Sequence, residues 1–146
     1  KNKSYTCGDL MFVMGMYKLK YPDNQCSSFK IINNKEKLST CIEKYLNLGE
    51  TRWSSDGRLT QYTLSDEDIE GAFPQRAQYA SKLSYLDISK NQFWGPFPEN
   101  FCKIHQMGTL RIGGNRFCPP YPSCLNNSPI LQIDIEDMRE VARCNP

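Results

Sequence analysis

The chain has 146 residues and a formal net charge of +2, with 18 Lys and Arg against 16 Asp and Glu. The two signs are interspersed, which argues against a nucleic-acid binder and against a protein held on an anionic membrane. Aromatics make up 12% and the nine prolines are spread out, so the chain folds as one domain of common size rather than staying disordered.

No apolar run reaches the ~18 residues of a membrane span. The longest is Leu10–Met16, within CGDLMFVMGMYKLKYP. Lys1 and Lys3 ahead of it imitate a short signal peptide, but no small-residue cleavage site comes after it, so the run reads as mature sequence. Leu10, Val13, Met14 and Tyr17 have helical spacing, and Pro22 lies beyond the end of that helix. Leu38, Ile42, Tyr45 and Leu46 predict a second helix over Lys35–Leu48, and Trp53 precedes the first strand.

From Leu59 onward the chain repeats. LSYLDISKNQFWGPFP, starting at Leu83, aligns with LTQYTLSDEDIEGAFP at Leu59 and MGTLRIGGNRFCPPYP at Met107. The apolar triplets are Leu59, Tyr62, Leu64; Leu83, Leu86, Ile88; and Met107, Leu110, Ile112, with a fainter fourth at Ile130, Ile133, Ile135. The shared pattern is LxxLxLxxNxΦxGxΦP. Its alternating apolar residues make a short strand with one face inward. Asn91 and Asn115 stand where the chain bends and where an amide can bond backbone groups left unpaired. Gly95 permits a turn closed to other residues, and Pro98 forbids a further ladder bond. One such coil cannot bury its own edge, whereas a parallel stack can.

Seven cysteines are present: Cys7, Cys26, Cys41, Cys102, Cys118, Cys124 and Cys144. None are spaced as CxxC and His105 is the one histidine, which disfavours a zinc site and points to disulfides in an oxidising, secretory compartment. The odd number leaves at least one thiol free or bonded to another chain. Sequons at Asn2 and Asn126 agree with that compartment.

The repeat resembles the leucine-rich repeat of the plant type, over Leu59–Pro74, Leu83–Pro98 and Met107–Pro122. Glu67 replaces the turn asparagine in the first copy, so an asparagine ladder is expected to break there. Cys118 and Pro119 replace Trp94 and Gly95 in the third, as in a modified, capping turn. The resemblance implies an α/β fold: a short solenoid with a parallel sheet, a helical N-terminal cap and a cysteine-bearing C-terminal cap. Residues 1–56 form the first cap, 57–122 three repeats, and 123–146 the last partial repeat and second cap. Cys7, Cys26 and Cys41 supply one bridge and a spare thiol. At the other end Cys124 takes the place of Asn100 one coil earlier, which favours Cys102–Cys124 with Cys118–Cys144 over a local Cys118–Cys124 loop.

The outward strand positions form columns: Gln61, Tyr85, Thr109, Gln132; Thr63, Asp87, Arg111, Asp134; and Ser65, Ser89, Gly113, Glu136. Ligands of such repeats meet this face, so the resemblance makes Tyr85, Asp87, Arg111, Thr109 and Asp134 candidates for partner binding. The alternative is that Asp87, Arg111 and Asp134 are opposite charges steadying a parallel sheet. Trp94 is either an exposed aromatic anchor or a cover for an adjacent coil. Catalysis finds no arrangement: Asp66, Glu67 and Asp68 are a solvated acidic turn, His105 has no nucleophile beside it, and Gly113-Gly114 leads to no phosphate-binding lysine. The expectation is a secreted or cell-surface, non-catalytic module, without metal or cofactor, that binds a protein or glycan. The rival is a structural subunit that self-associates through coil edges or the unpaired cysteine.

Overall fold

The computed structural model describes residues 4–127, 132–134 and 144. Two helices open the chain, α1 (Cys7–Lys20) and α2 (Lys35–Asn47). Between them run two short 3-10 turns, Gln25–Ser27 and Phe29–Asn33. The Asn34 side chain caps α2 by accepting the Lys37 N–H at 3.1 Å. A disulfide, Cys26–Cys41, ties the first turn to α2. Buried Tyr45 reinforces it, its hydroxyl donating to the Cys26 carbonyl at 2.6 Å. Gly49, at φ +69°, then turns the chain; a Cβ there would press directly on the Thr63 carbonyl oxygen.

Directly after this turn comes a strand absent from the sequence pattern. β1 (Glu50–Trp53) pairs antiparallel with β2 (Leu59–Thr63). Each later coil adds one strand in parallel: β4 (Tyr85–Asp87), β6 (Thr109–Arg111) and β8 (Gln132–Asp134), in the sheet order β1-β2-β4-β6-β8. Gln61 pairs with Tyr85 and Tyr85 with Thr109, so the ladder register is the sequence repeat itself. The fourth copy joins as Thr109 opposite Gln132, while Ile130 and Ile135 lie outside the described residues.

A second sheet is likewise absent from the sequence pattern. β3 (Glu70–Ala72), β5 (Gln92–Gly95) and β7 (Arg116–Phe117) form a parallel ladder beyond the bend of each coil. Between the sheets the triplets Leu59, Tyr62, Leu64 and Leu83, Leu86, Ile88 are fully buried. Phe73, Phe93, Phe97, Phe101 and Phe117 continue the core as a column, with Phe93 and Phe117 stacked at 5.9 Å. At the N-terminal end Phe12 of α1 meets Tyr62 and Phe73 edge-on, closing the first coil as an aromatic lid.

Asparagine stitches coil to coil. The Asn91 oxygen accepts the N–H groups of Glu67 and Ile69 at 2.9 and 3.1 Å. Its amide nitrogen donates to the carbonyls of Leu64, Ile88 and Ser89. Asn115 repeats this one coil later, toward Phe93, Ile88, Ile112 and Gly113. In the first coil Glu67 instead pairs with Lys20 of α1 at 3.6 Å, and Lys20 also donates to the Glu67 carbonyl. Helix α1 thus takes over where the asparagine ladder stops. Cys102–Cys124 and Cys118–Cys144 clip the last coils, and Cys7, exposed at the start of α1, remains a free thiol.

Candidate partner-binding surface

Strand alternation decides which side chains face out from the large sheet. Gln61 and Arg111 are exposed, and Thr63, Tyr85 and Thr109 are half-buried. Arg111 lies in register between Asp87 and Asp134, whose side chain falls outside what is described.

Asp87 departs from the expectation of an accessible contact. It is only 7% exposed, and its Oδ1 accepts the Ser89 N–H at 3.0 Å and the Ser89 hydroxyl at 2.6 Å. Ser89 in turn lies 3.0 Å from the Ser65 hydroxyl. A carboxylate at a strand end bonds its own turn when a hydroxyl lies two residues on. Asp87 therefore orders the Ser65–Ser89 edge of the face. Among the described residues Asp87 and Arg111 form no ion pair with each other.

Trp94 lies on the other sheet, in β5 between Ala72 and Arg116, and is 49% exposed. The structure therefore groups Tyr85, Thr109 and Arg111 on one face and leaves Trp94 apart. Of the glycosylation candidates, Asn126 belongs to a short helix, α3 (Cys124–Asn127), and Asn2 falls outside the described residues. The acidic turn is architectural in part: Asp68 accepts from Gln92 at 3.0 Å and Glu67 pairs with Lys20. His105 is exposed in a turn.

Two features escaped the sequence. An apolar groove of about 270 Å³ lies between α1 and the loop after β3, with Met11, Phe12, Pro74 and the exposed Tyr79 on its walls. Gly8 of α1 allows this close approach, since a Cβ there would lie 3.1 Å from the Tyr79 Cβ and carbonyl oxygen. The second is Asp9, wholly buried, whose Oδ2 accepts from Arg58 Nε at 2.7 Å and from the Leu59 N–H at 3.0 Å. A lone acid inside an apolar helical run was the available signal, since such a charge persists only with a partner.

No protein-family model matches the sequence, and no curated protein matches it. Among solved structures, a chain of the BIR3–SERK2 complex from Arabidopsis thaliana aligns with a TM-score of 0.58 and 22% identity. That alignment covers 85% of this chain and 66% of the other, just under two thirds. This chain has the leucine-rich-repeat fold. The leucine-rich-repeat ectodomain of the receptor kinase SOBIR1, also from A. thaliana, aligns at a TM-score of 0.43 and 15% identity, over 97% and 98% of the two chains. Within the leucine-rich-repeat fold the buried triplets, Asn91 and Asn115 belong to architecture, and Tyr85, Thr109 and Arg111 to surface. No helix among the described residues is long and apolar enough to cross a membrane.

Proposed function

We propose that this chain is an extracellular, non-catalytic binding module that recognises a protein or glycan partner through the outer face of its large sheet. The observation that carries the reading is the column Tyr85–Thr109 beside Arg111, held in register by parallel strands and left accessible. A preorganised strand face lowers the ordering cost of binding. Tyr and Arg also combine large contact area with directional donors, as interface anchors do. Three disulfides fit an oxidising compartment. The leucine-rich-repeat likeness supports an interaction role, the matched chain having been solved within a two-protein complex. Asp134 extends the face, Asp87 holds its edge, and Trp94 offers a separate aromatic contact on the second sheet. Asn2 and Asn126 are its N-glycan acceptors.

The test is affinity capture on the immobilised chain with mass spectrometry, comparing wild type with Arg111→Glu. The expected result is a captured partner that Arg111→Glu loses without any change in melting temperature. Capture retained by Arg111→Glu moves the interface away from this face. A second reading, a self-associating structural subunit, is favoured by one observation, the exposed free thiol of Cys7.

A further inference from the structure

On the N-terminal cap two open depressions, of about 550 and 420 Å³, share Gln25, Ile31 and Lys37 and so form one groove. Helix α2 is one wall and the Gln25–Ser27 turn is the other. The Cys26–Cys41 bridge joins the two walls, so the groove has a fixed width. Three lysines border it, Lys30, Lys37 and Lys44, all exposed, against a single acid, Asp23.

Sequence spacing explains why this charge is uncompensated. Intrahelical ion pairs need partners three or four residues away. Lys37 has Asn34, Thr40 and Cys41 at those distances, and Lys44 has Thr40, Cys41, Asn47 and Leu48. Glu36 and Glu43 stand one place off that stripe, and none of the three lysines joins an ion pair among the described residues. A walled depression lined by one sign of charge raises the local concentration of counter-charged ligand.

The geometry also selects the kind of ligand. Lys37 and Lys44 are seven residues apart on α2, about 10 Å along the axis at 1.5 Å per residue. One phosphate or sulfate cannot reach both, whereas a linear polymer carrying an anionic group on successive units can. Among the described residues Ile31 is the one aliphatic side chain lining this groove, which offers little to the hydrophobic anchor of an acidic peptide. The Gln25 amide suits sugar hydroxyls, and so does the Thr40 oxygen as an acceptor, its own proton going to the Glu36 carbonyl at 3.3 Å.

We propose that this groove binds a linear polyanionic glycan, carboxylated or sulfated, independently of the partner met by the repeat sheet. Titration calorimetry on the whole chain tests it with four probes: a polyuronate oligomer, a sulfated glycosaminoglycan, a neutral glucan and poly-glutamate. The expected result is binding of the uronate or the sulfated polymer, whichever is tighter naming the anionic group, and none of the glucan. Affinity should fall at least about tenfold between low and high salt, because the charges are exposed and screened. Lys37→Glu/Lys44→Glu should lower it by a similar factor with an unchanged melting temperature. Lys103→Glu, far along the sequence and outside the groove, should leave it intact. The proposal is overturned by no binding of either glycan, by poly-glutamate binding as tightly, or by Lys103→Glu weakening binding as much as the double variant.

Discussion

Asn91 commits both ends of its amide to buried backbone, accepting from two N–H groups and donating to three carbonyls. Asn91→Ala removes all five bonds and orphans the three buried partners, Ile69 N–H and the Leu64 and Ile88 carbonyls, so it should cost about 1–3 kcal/mol in urea unfolding. Asn115→Ala belongs in the same range, toward its lower end, because its oxygen accepts a single N–H at 3.1 Å. These asparagines were legible in the sequence because a period exposes any residue that recurs at the bend. Tyr62 is the opposite case. It occupies a leucine position, is wholly buried, and its hydroxyl has no hydrogen-bond partner among the described residues. Burial pushes its phenol well above the usual tyrosine range. Below pH ~10 both folded and unfolded states keep the proton; above it the unfolded chain releases the proton first. Tyr62 therefore lowers stability as pH rises past ~10. Tyr62→Phe should flatten that alkaline loss in pH-dependent melting. At neutral pH it should leave stability unchanged or raise it by up to about 2 kcal/mol.

At the scale of elements, α1 is fastened to the first coil by two ion pairs of unequal worth. Arg58, just ahead of β2, reaches Asp9, whose side chain is fully buried, whereas Lys20 and Glu67 are both partly exposed, 23% and 33%. Arg58→Met strands a buried carboxylate and should cost about 3 kcal/mol, while Lys20→Met should cost under about 1 kcal/mol, both read as shifts in the urea midpoint. Phe12 and the close approach at Gly8 make the rest of the contact. Helices and inner strands could be anticipated from periodicity, since 3.6- and 2-residue patterns record which side is wet. The outer strands β3, β5 and β7 are only two to four residues long. Too short to show alternation, they form because neighbouring coils present the same segment at strand spacing. β1 escaped for a different reason: its residues alternate between exposed and half-buried, so Glu50–Trp53 carries little hydrophobic contrast.

Across the whole molecule, two C-terminal disulfides close the stack and one thiol is left outside it. Cys7 lies one helical turn from Met11, at the start of the helix that walls the apolar groove. Light scattering with and without reductant measures what that thiol does. A covalent assembly should dissociate under reductant and be absent in Cys7→Ser; a monodisperse monomer under both conditions removes the self-associating reading. The repeat, the coil count and the surplus cysteine are properties of the sequence alone, because a period and an odd number survive without coordinates. Only the tertiary structure buried Asp87 against Ser89, set Trp94 on a different sheet from Tyr85 and Arg111, and joined three lysines into one groove. Those outcomes depend on burial and on distances between residues remote in sequence. Such distances exist only once the coils have stacked and the cap has closed over the first of them.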